Sequence, residues 1–172
     1  MYQTQLSPSA KSIIKVISIG LIAGLFLKLF VIDFLHVSGT SMEGAIKDGS
    51  VIAVNRLAYG IAVPYSHRLL IQWDRPKEGD IVIYMYNNKI VVKRCVAVSE
   101  QSLEYSANSL YNLKIGDKNI PLTKEQYYNL KDCSKVPEGY ILAIGDNYEK
   151  SVDSRDYGFV SIRNVLGKVI CR

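Results

Sequence analysis

Few side chains in this chain of 172 residues can take a proton from an attacking group near neutral pH. There are two histidines, His36 and His67, and three cysteines, Cys95, Cys133 and Cys171. Neither His-Glu-x-x-His nor Cys-x-x-Cys occurs, so no metal is expected. His36 ends a long apolar run, and His67 lies in the polar stretch Pro64-Tyr65-Ser66-His67-Arg68. Both read as surface or interface residues rather than as the base of a Ser-His-Asp triad. Gly39-Thr40-Ser41-Met42-Glu43 approaches a nucleophile elbow, but the next glycine, Gly44, comes one residue late.

A lysine can replace histidine as a base if burial strips its proton. Lys93 sits in the apolar run IVVKRCVAV. Strand alternation puts Val91, Lys93, Cys95 and Ala97 on one face and Val92, Arg94, Val96 and Val98 on the other. One of the two basic residues therefore points inward. Burial disfavours the ammonium and lowers the pKa of a lysine, ordinarily about 10.4, whereas arginine stays charged. A neutral amine could deprotonate a hydroxyl such as that of Ser41, which lies in a glycine-containing turn. The pattern by itself fits an edge-strand lysine equally. A third polar cluster runs from Gly145-Asp146-Asn147 through Ser151-Val152-Asp153-Ser154-Arg155 to Tyr157-Gly158-Phe159-Val160. There an Asp–Arg pair can brace a loop and a hydroxyl can orient an amine.

The elements that must position these residues read mostly as strands. Candidates are Ser50–Val54, Ile81–Tyr86, Lys89–Val98, Tyr140–Ile144 and the stretch around Lys168-Val169-Ile170. Asn87-Asn88 between the second and third predicts a hairpin. Thr123 is the expected cap of a short helix over residues 123–131. The fold class expected is mostly β: an antiparallel sheet domain behind one N-terminal transmembrane helix.

That helix is read from Ile13 to Ile32, about 20 residues or about 30 Å, enough to cross a bilayer core. Its two lysines, Lys15 and Lys28, lie within snorkelling reach of its ends. The segment after it, Asp33-Phe34-Leu35-His36-Val37, is too bulky for a signal-peptide cleavage site. Lys11 and Lys15 at its amino end predict residues 1–12 in the cytoplasm, an anchor over 13–32 and residues 33–172 outside. The net charge of +5 contains no run of more than two basic residues. It suits anionic lipid and not nucleic acid. Three cysteines leave at least one thiol unpaired within the chain, and their pairing is open.

Taken together, Ser41-Met42 within VSGTSMEGAIKDGSVIAVNRLAYG, Gly79-Asp80-Ile81-Val82 with Lys93-Arg94, and the third cluster resemble the type I signal peptidases. These are membrane-anchored Ser/Lys proteases that remove secretory signal peptides. The segments come in the family's order and span most of residues 37–168. The resemblance implies Ser41 as nucleophile and Lys93 as general base. It implies Ser151 as the holder of the lysine amine, Asp153 and Arg155 as braces, and Asp146 and Asn147 as structural residues. It places Met42, Ile46, Val91, Val92 and Val37 around a shallow apolar pocket for small residues next to the cut. It implies no cofactor, exported precursors and membrane lipid as partners, and a place in the bacterial cytoplasmic membrane with the peptidase domain outside.

Two stretches depart from the family's pattern. Glu43-Gly44-Ala45 stands where a residue followed by Pro-Thr is usual. Cys95-Val96-Ala97-Val98-Ser99-Glu100 stands in place of Gly-x-x-Gly-Asp. Gly39 occupies the position of the serine that some members use as an oxyanion donor, leaving the Ser41 amide as the expected donor and the second donor open. Three other readings share these residues: a dedicated peptidase maturing a pilin-like substrate, an inactive membrane-anchored binding module, and a self-cleaving repressor. The apolar segment in place of a DNA-binding domain argues against the last.

Overall fold

The computed structural model describes residues 8–62, 68–108 and 110–171, so His67 lies outside the described residues. Helix α1, Pro8–Phe26, continues as a wider helical turn over Leu27–Val31 and passes straight into strand β1, Ile32–His36. The window Ser9–Phe26 is long and apolar enough to cross a membrane, and none of it is buried against the rest of the chain. Ile32 was expected to close this helix; it opens the strand instead. The reason is local: Ile32 pairs with Asn55, and the Arg56 amide donates to the Val31 carbonyl at 2.9 Å. Backbone bonding to the body takes over from the helix at that point.

The remaining strands are β2 Val51–Asn55, β3 Gly60–Ala62, β4 Leu69–Gln72, β5 Ile81–Tyr86, β6 Lys89–Ala97, β7 Glu104–Ala107, β8 Tyr111–Ile115, β9 Lys118–Leu122, β10 Tyr140–Ile144, β11 Val160–Ser161 and β12 Val165–Cys171. Seven of them form one antiparallel sheet in the order β1-β2-β12-β5-β6-β10-β11. The expected hairpin joins β5 to β6, with Asn87 (φ 47°) and Asn88 (φ 59°) both left-handed, as a two-residue turn of that twist demands. Among the described residues there are also two short α-helices, α2, Lys124–Leu130, and α3, Ser154–Tyr157, and a single 3-10 turn over Ile162–Asn164. Thr123 caps α2 as expected, accepting from the Gln126 amide at 3.2 Å.

Both faces of the central strands are covered. Val82, Tyr84, Cys95, Ile141, Ala143 and Val165 pack on one side. Ile81, Ile83 and Leu166 face the other, where Met42, Ile46, Ile52 and Val54 fill the space. This is why β5 and β10 read as near-continuous apolar runs rather than alternating ones. A small β7-β8-β9 sheet covers Val96, Ala97, Leu142 and Ile144 with Leu113, Ile115, Ile120 and Leu122. Its strands carry too many polar residues to be read as strands from the sequence. Pro121 is tolerated in β9 because that strand is at the sheet's edge. All three cysteines are unpaired, and burial pushes the Cys95 thiol up to about 12.

Candidate active site

Ser41 stands in a turn fixed from both sides. After β1 the chain bends at Gly39, whose φ of +110° few other residues adopt and whose amide donates to Asp48 Oδ1 at 2.8 Å. Val37 N–H bonds the Ser50 carbonyl, and Ile46 N–H bonds the Met42 carbonyl, both at 2.8 Å. Met42 and Ile46 are almost wholly buried and pin the far side of the turn. Gly44 also has φ +110°, a value proline cannot take. The departure from the family's proline is therefore matched by the path of the backbone.

Lys93 reaches this turn from β6. Its cross-strand partner is Val82, and its side chain is only 4% exposed. The amine nitrogen lies 2.8 Å from Ser41 Oγ. The separation serves either direction: an ammonium donates to the hydroxyl, and a neutral amine accepts its proton. Burial holds the lysine's pKa below its ordinary value, and the Arg155 charge pushes the same way, while Asp153 and Asp156 oppose it. Arg94, the next residue, points elsewhere and forms a two-pronged pair with Asp146 at 2.7 and 2.6 Å.

The loop after β10 closes over the pair and is tied down at successive residues. Ala143 N–H donates to Ser154 Oγ, and Gly145 N–H to Asp153 Oδ2, each at 3.0 Å. Asp146 holds Arg94, and Asn147 N–H donates to the Ser41 carbonyl at 3.0 Å. Asp153 and Arg155 are buried together, with nitrogen–oxygen contacts of 2.9 and 3.0 Å. The guanidinium also bonds the carbonyls of Tyr148, Ser151 and Pro121, so its charge is well partnered. Asp153 caps the four-residue α3.

Two expected placements differ. Ser151 does not hold the lysine amine: its Oγ is buried without a hydrogen-bond partner, while the amine bonds Ser41. The hydroxyl occupies the space left by the missing side chain of Gly145, where a Cβ would lie 2.2 Å from it. Ile46 does not line the cleft; at 2% exposure it belongs to the core beneath the turn. Val37, Met42, Val91 and Val92 do line it, together with Ser41 and Lys93, in a cleft of about 170 Å³.

Leu35, His36, Ser38, Gly39 and Ile90 line it too and were not foreseen as such. The missing signal was β1. Hidden behind the apolar segment, it carries residues 35 and 36 to the rim. The cleft thus lies between the last residues of β1 and the first half of β6. Among the described residues β1 is the outermost strand of its sheet, and β10 pairs β6 only from Arg94 onward. Two unpaired backbone edges therefore border the cleft, a ready template for an extended peptide.

A hydroxyl beside a buried amine, in a cleft bordered by two unpaired strand edges, is equipment suited to a hydrolase that cuts peptides. The family model described as "Signal peptidase, peptidase S26" matches residues 10–172, and the chain belongs to that family; it is a serine peptidase. A signal peptidase I from Bacillus caldolyticus is 29% identical over 83% of this chain and 80% of its own length. A signal peptidase IB from Staphylococcus aureus is 29% identical over 83% and 78%. A signal peptidase I from Buchnera aphidicola is 24% identical over 85% and 71%. A solved signal peptidase I from Enterococcus faecalis covers 56% of this chain with 21% identity and a TM-score of 0.39.

Proposed function

We propose that the protein removes N-terminal signal peptides from exported precursors, with Ser41 Oγ as nucleophile and the Lys93 amine as general base. The observation that carries this reading is the 2.8 Å contact between the hydroxyl and an amine whose pKa burial lowers. The neutral amine takes the hydroxyl proton as Oγ attacks the scissile carbonyl. The resulting ammonium returns that proton to the leaving amine, and an acyl-enzyme remains. Water, deprotonated by the same amine, then releases the signal peptide and restores the serine. The Ser41 amide is the expected donor to the oxyanion; Gly39 offers no side chain for a second.

The precursor lies extended between the edges of β1 and β6. Val37, Met42, Val91 and Val92 face its small residues. Two of them, Val91 and Val92, directly precede the lysine on β6 and are β-branched, which makes the wall stiff and shallow. Cleavage after an A-x-A-like sequence follows. α1 spans the membrane with the amino terminus in the cytoplasm and the peptidase domain outside. The bilayer holds enzyme and precursor at high effective concentration, which offsets weak recognition of so short a site.

The test is cleavage of a precursor by the full-length protein in detergent. Wild type should cut it once after the small residue; Ser41→Ala and Lys93→Arg should not, since arginine cannot give up its proton. Full activity in either variant would overturn the assignment.

A further inference from the structure

Tyr148 is an exposed aromatic beside the nucleophile, and it is held in place from within. Its neighbour Asn147 donates its amide to the Ser41 carbonyl at 3.0 Å. Its own carbonyl accepts from Arg155 Nη2 at 2.9 Å. Its ring lies over the same guanidinium, with the centroid 5.4 Å from Cζ. Arg155 is 1% exposed and is bonded to Asp153, so both holds on Tyr148 are anchored in the interior. The guanidinium takes one side of the ring, and the residue is still 38% exposed. None of residues 145–151 lines the cleft, yet this loop borders Ser41 from outside it: the Asn147 amide and Gly145 both abut the Ser41 carbonyl. If the cleft takes the residues before a cut, those after it leave past Ser41, where the loop lies.

We propose that the ring of Tyr148 is a binding subsite for the first residues after the scissile bond, on which the start of the released chain packs while the acyl-enzyme forms. This rests on the reading above, that Ser41 and Lys93 cut a peptide lying extended in the cleft. The reach is sufficient. One chain step of about 3.8 Å separates Tyr148 from Asn147. An extended peptide advances roughly 3.3 Å per residue, so its first two or three residues after the cut cover about 7–10 Å. A ring face packs against a peptide plane or an aliphatic side chain alike, so the contact asks little of sequence. It suits an enzyme whose small-residue pocket lies wholly before the cut. Binding away from the reacting atoms can be used at the step that expels the leaving amine, so lengthening a substrate beyond the cut raises kcat/KM.

The test uses the full chain in detergent and a pair of soluble peptides that share one Ala-x-Ala sequence, followed by a single residue in one and by about four in the other. Wild type should cut the longer peptide with a kcat/KM about tenfold above that of the shorter. Tyr148→Ala should bring the ratio of the two close to one. Tyr148→Phe, which keeps the ring, should keep the wild-type ratio. The proposal is overturned if Tyr148→Ala retains the wild-type ratio, which includes a fall of both peptides by one common factor. It is overturned equally if Tyr148→Phe loses the ratio, since the hydroxyl and not the ring would then carry the contact. A wild type that cuts both peptides alike refutes the subsite alone, whereas a wild type that cuts neither refutes the proposed function beneath it.

Discussion

Gly145 offers a steric test of the site with the chemistry left in place. Its φ is not in the left-handed region, so alanine there meets no backbone strain. The added Cβ, however, would lie 2.2 Å from Ser151 Oγ, 2.7 Å from Ser151 Cβ and 2.5 Å from the Ser41 carbonyl oxygen. The serine side chain can rotate away in part; the Ser41 carbonyl is backbone and cannot. Ordinary contact needs about 3.4 Å, so the two segments must separate by roughly 0.9 Å, as expected of overpacking. The Asn147 amide bond to that same carbonyl resists the separation. A displacement near 1 Å at a nucleophile costs on the order of 10²-fold in rate, or about 2.7 kcal/mol of barrier. The fold should lose only about 1–3 kcal/mol. The assay is kcat/KM on a short peptide together with the denaturant midpoint of the same preparation. A Gly145→Ala protein with wild-type kcat/KM refutes the reasoning. So does a loss of activity that only tracks the unfolded fraction.

Lys93→Met should stabilise the fold at neutral pH, because it removes a buried cation. The lysine's folded pKa is lowered, so the wild type gains stability as pH rises from that value to the unfolded value near about 10.4. The advantage of the variant should therefore shrink over that window, which chemical denaturation at a series of pH values would reveal. The same titration predicts that wild-type kcat/KM rises with pH below the folded pKa of Lys93, and a flat profile would count against a titrating amine. Ser151→Ala should leave the unfolding midpoint unchanged or slightly raised, since the hydroxyl it removes is buried without a partner. Gly44→Pro, which reinstates the family's residue, should destabilise the turn by about 1–3 kcal/mol or more, because proline's φ near about −65° is incompatible with +110°. Thermal or denaturant unfolding of the two proteins measures it.

The parts of this fold that could be read in advance were those with local signals. The Asn87-Asn88 turn between two β-branched runs, the Thr123 cap and the run Tyr140–Ile144 each specify their element within a few residues. β1 escaped because its alternation follows directly on the largely apolar stretch that starts at Ile13, with no turn signal between them. The three strands β7, β8 and β9 escaped because they bury only one face, under a sheet already formed elsewhere. The resemblance places Ile46 at the pocket; the turn carries it into the core beneath Ser41 instead. The pairing of Ser41 with Lys93 spans 52 positions and no local pattern encodes it. Alternation showed only that Lys93 or Arg94 must point inward. Asp146 explains which: it gives Arg94 a partner at the half-exposed side, and the lysine takes the interior.

That choice depends on the buried Asp153–Arg155 pair. Of the seven buried polar or charged residues among the described residues, Lys93, Ser151, Asp153, Ser154 and Arg155 gather around this one site. A buried carboxylate alone near the amine would stabilise the ammonium and make the lysine a poorer base. A buried guanidinium alone would favour the neutral form but would itself lack a counter-charge, at a cost of about 3–5 kcal/mol. Together they bond each other, and their effects on Lys93 oppose one another: Asp153 raises its pKa and Arg155 lowers it. Burial then remains the largest influence on the amine. The loop can thus be rigid, through the Gly145 and Asn147 amides and a guanidinium fixed to carboxylate and carbonyl oxygens, without favouring the ammonium form of the lysine it encloses. An apolar brace would give the same neutrality, but it could not accept the Gly145 amide that ties the end of β10 to Asp153. The ion pair is the form of rigidity that leaves burial in control of the lysine's pKa, which is what the base proposed for Lys93 requires.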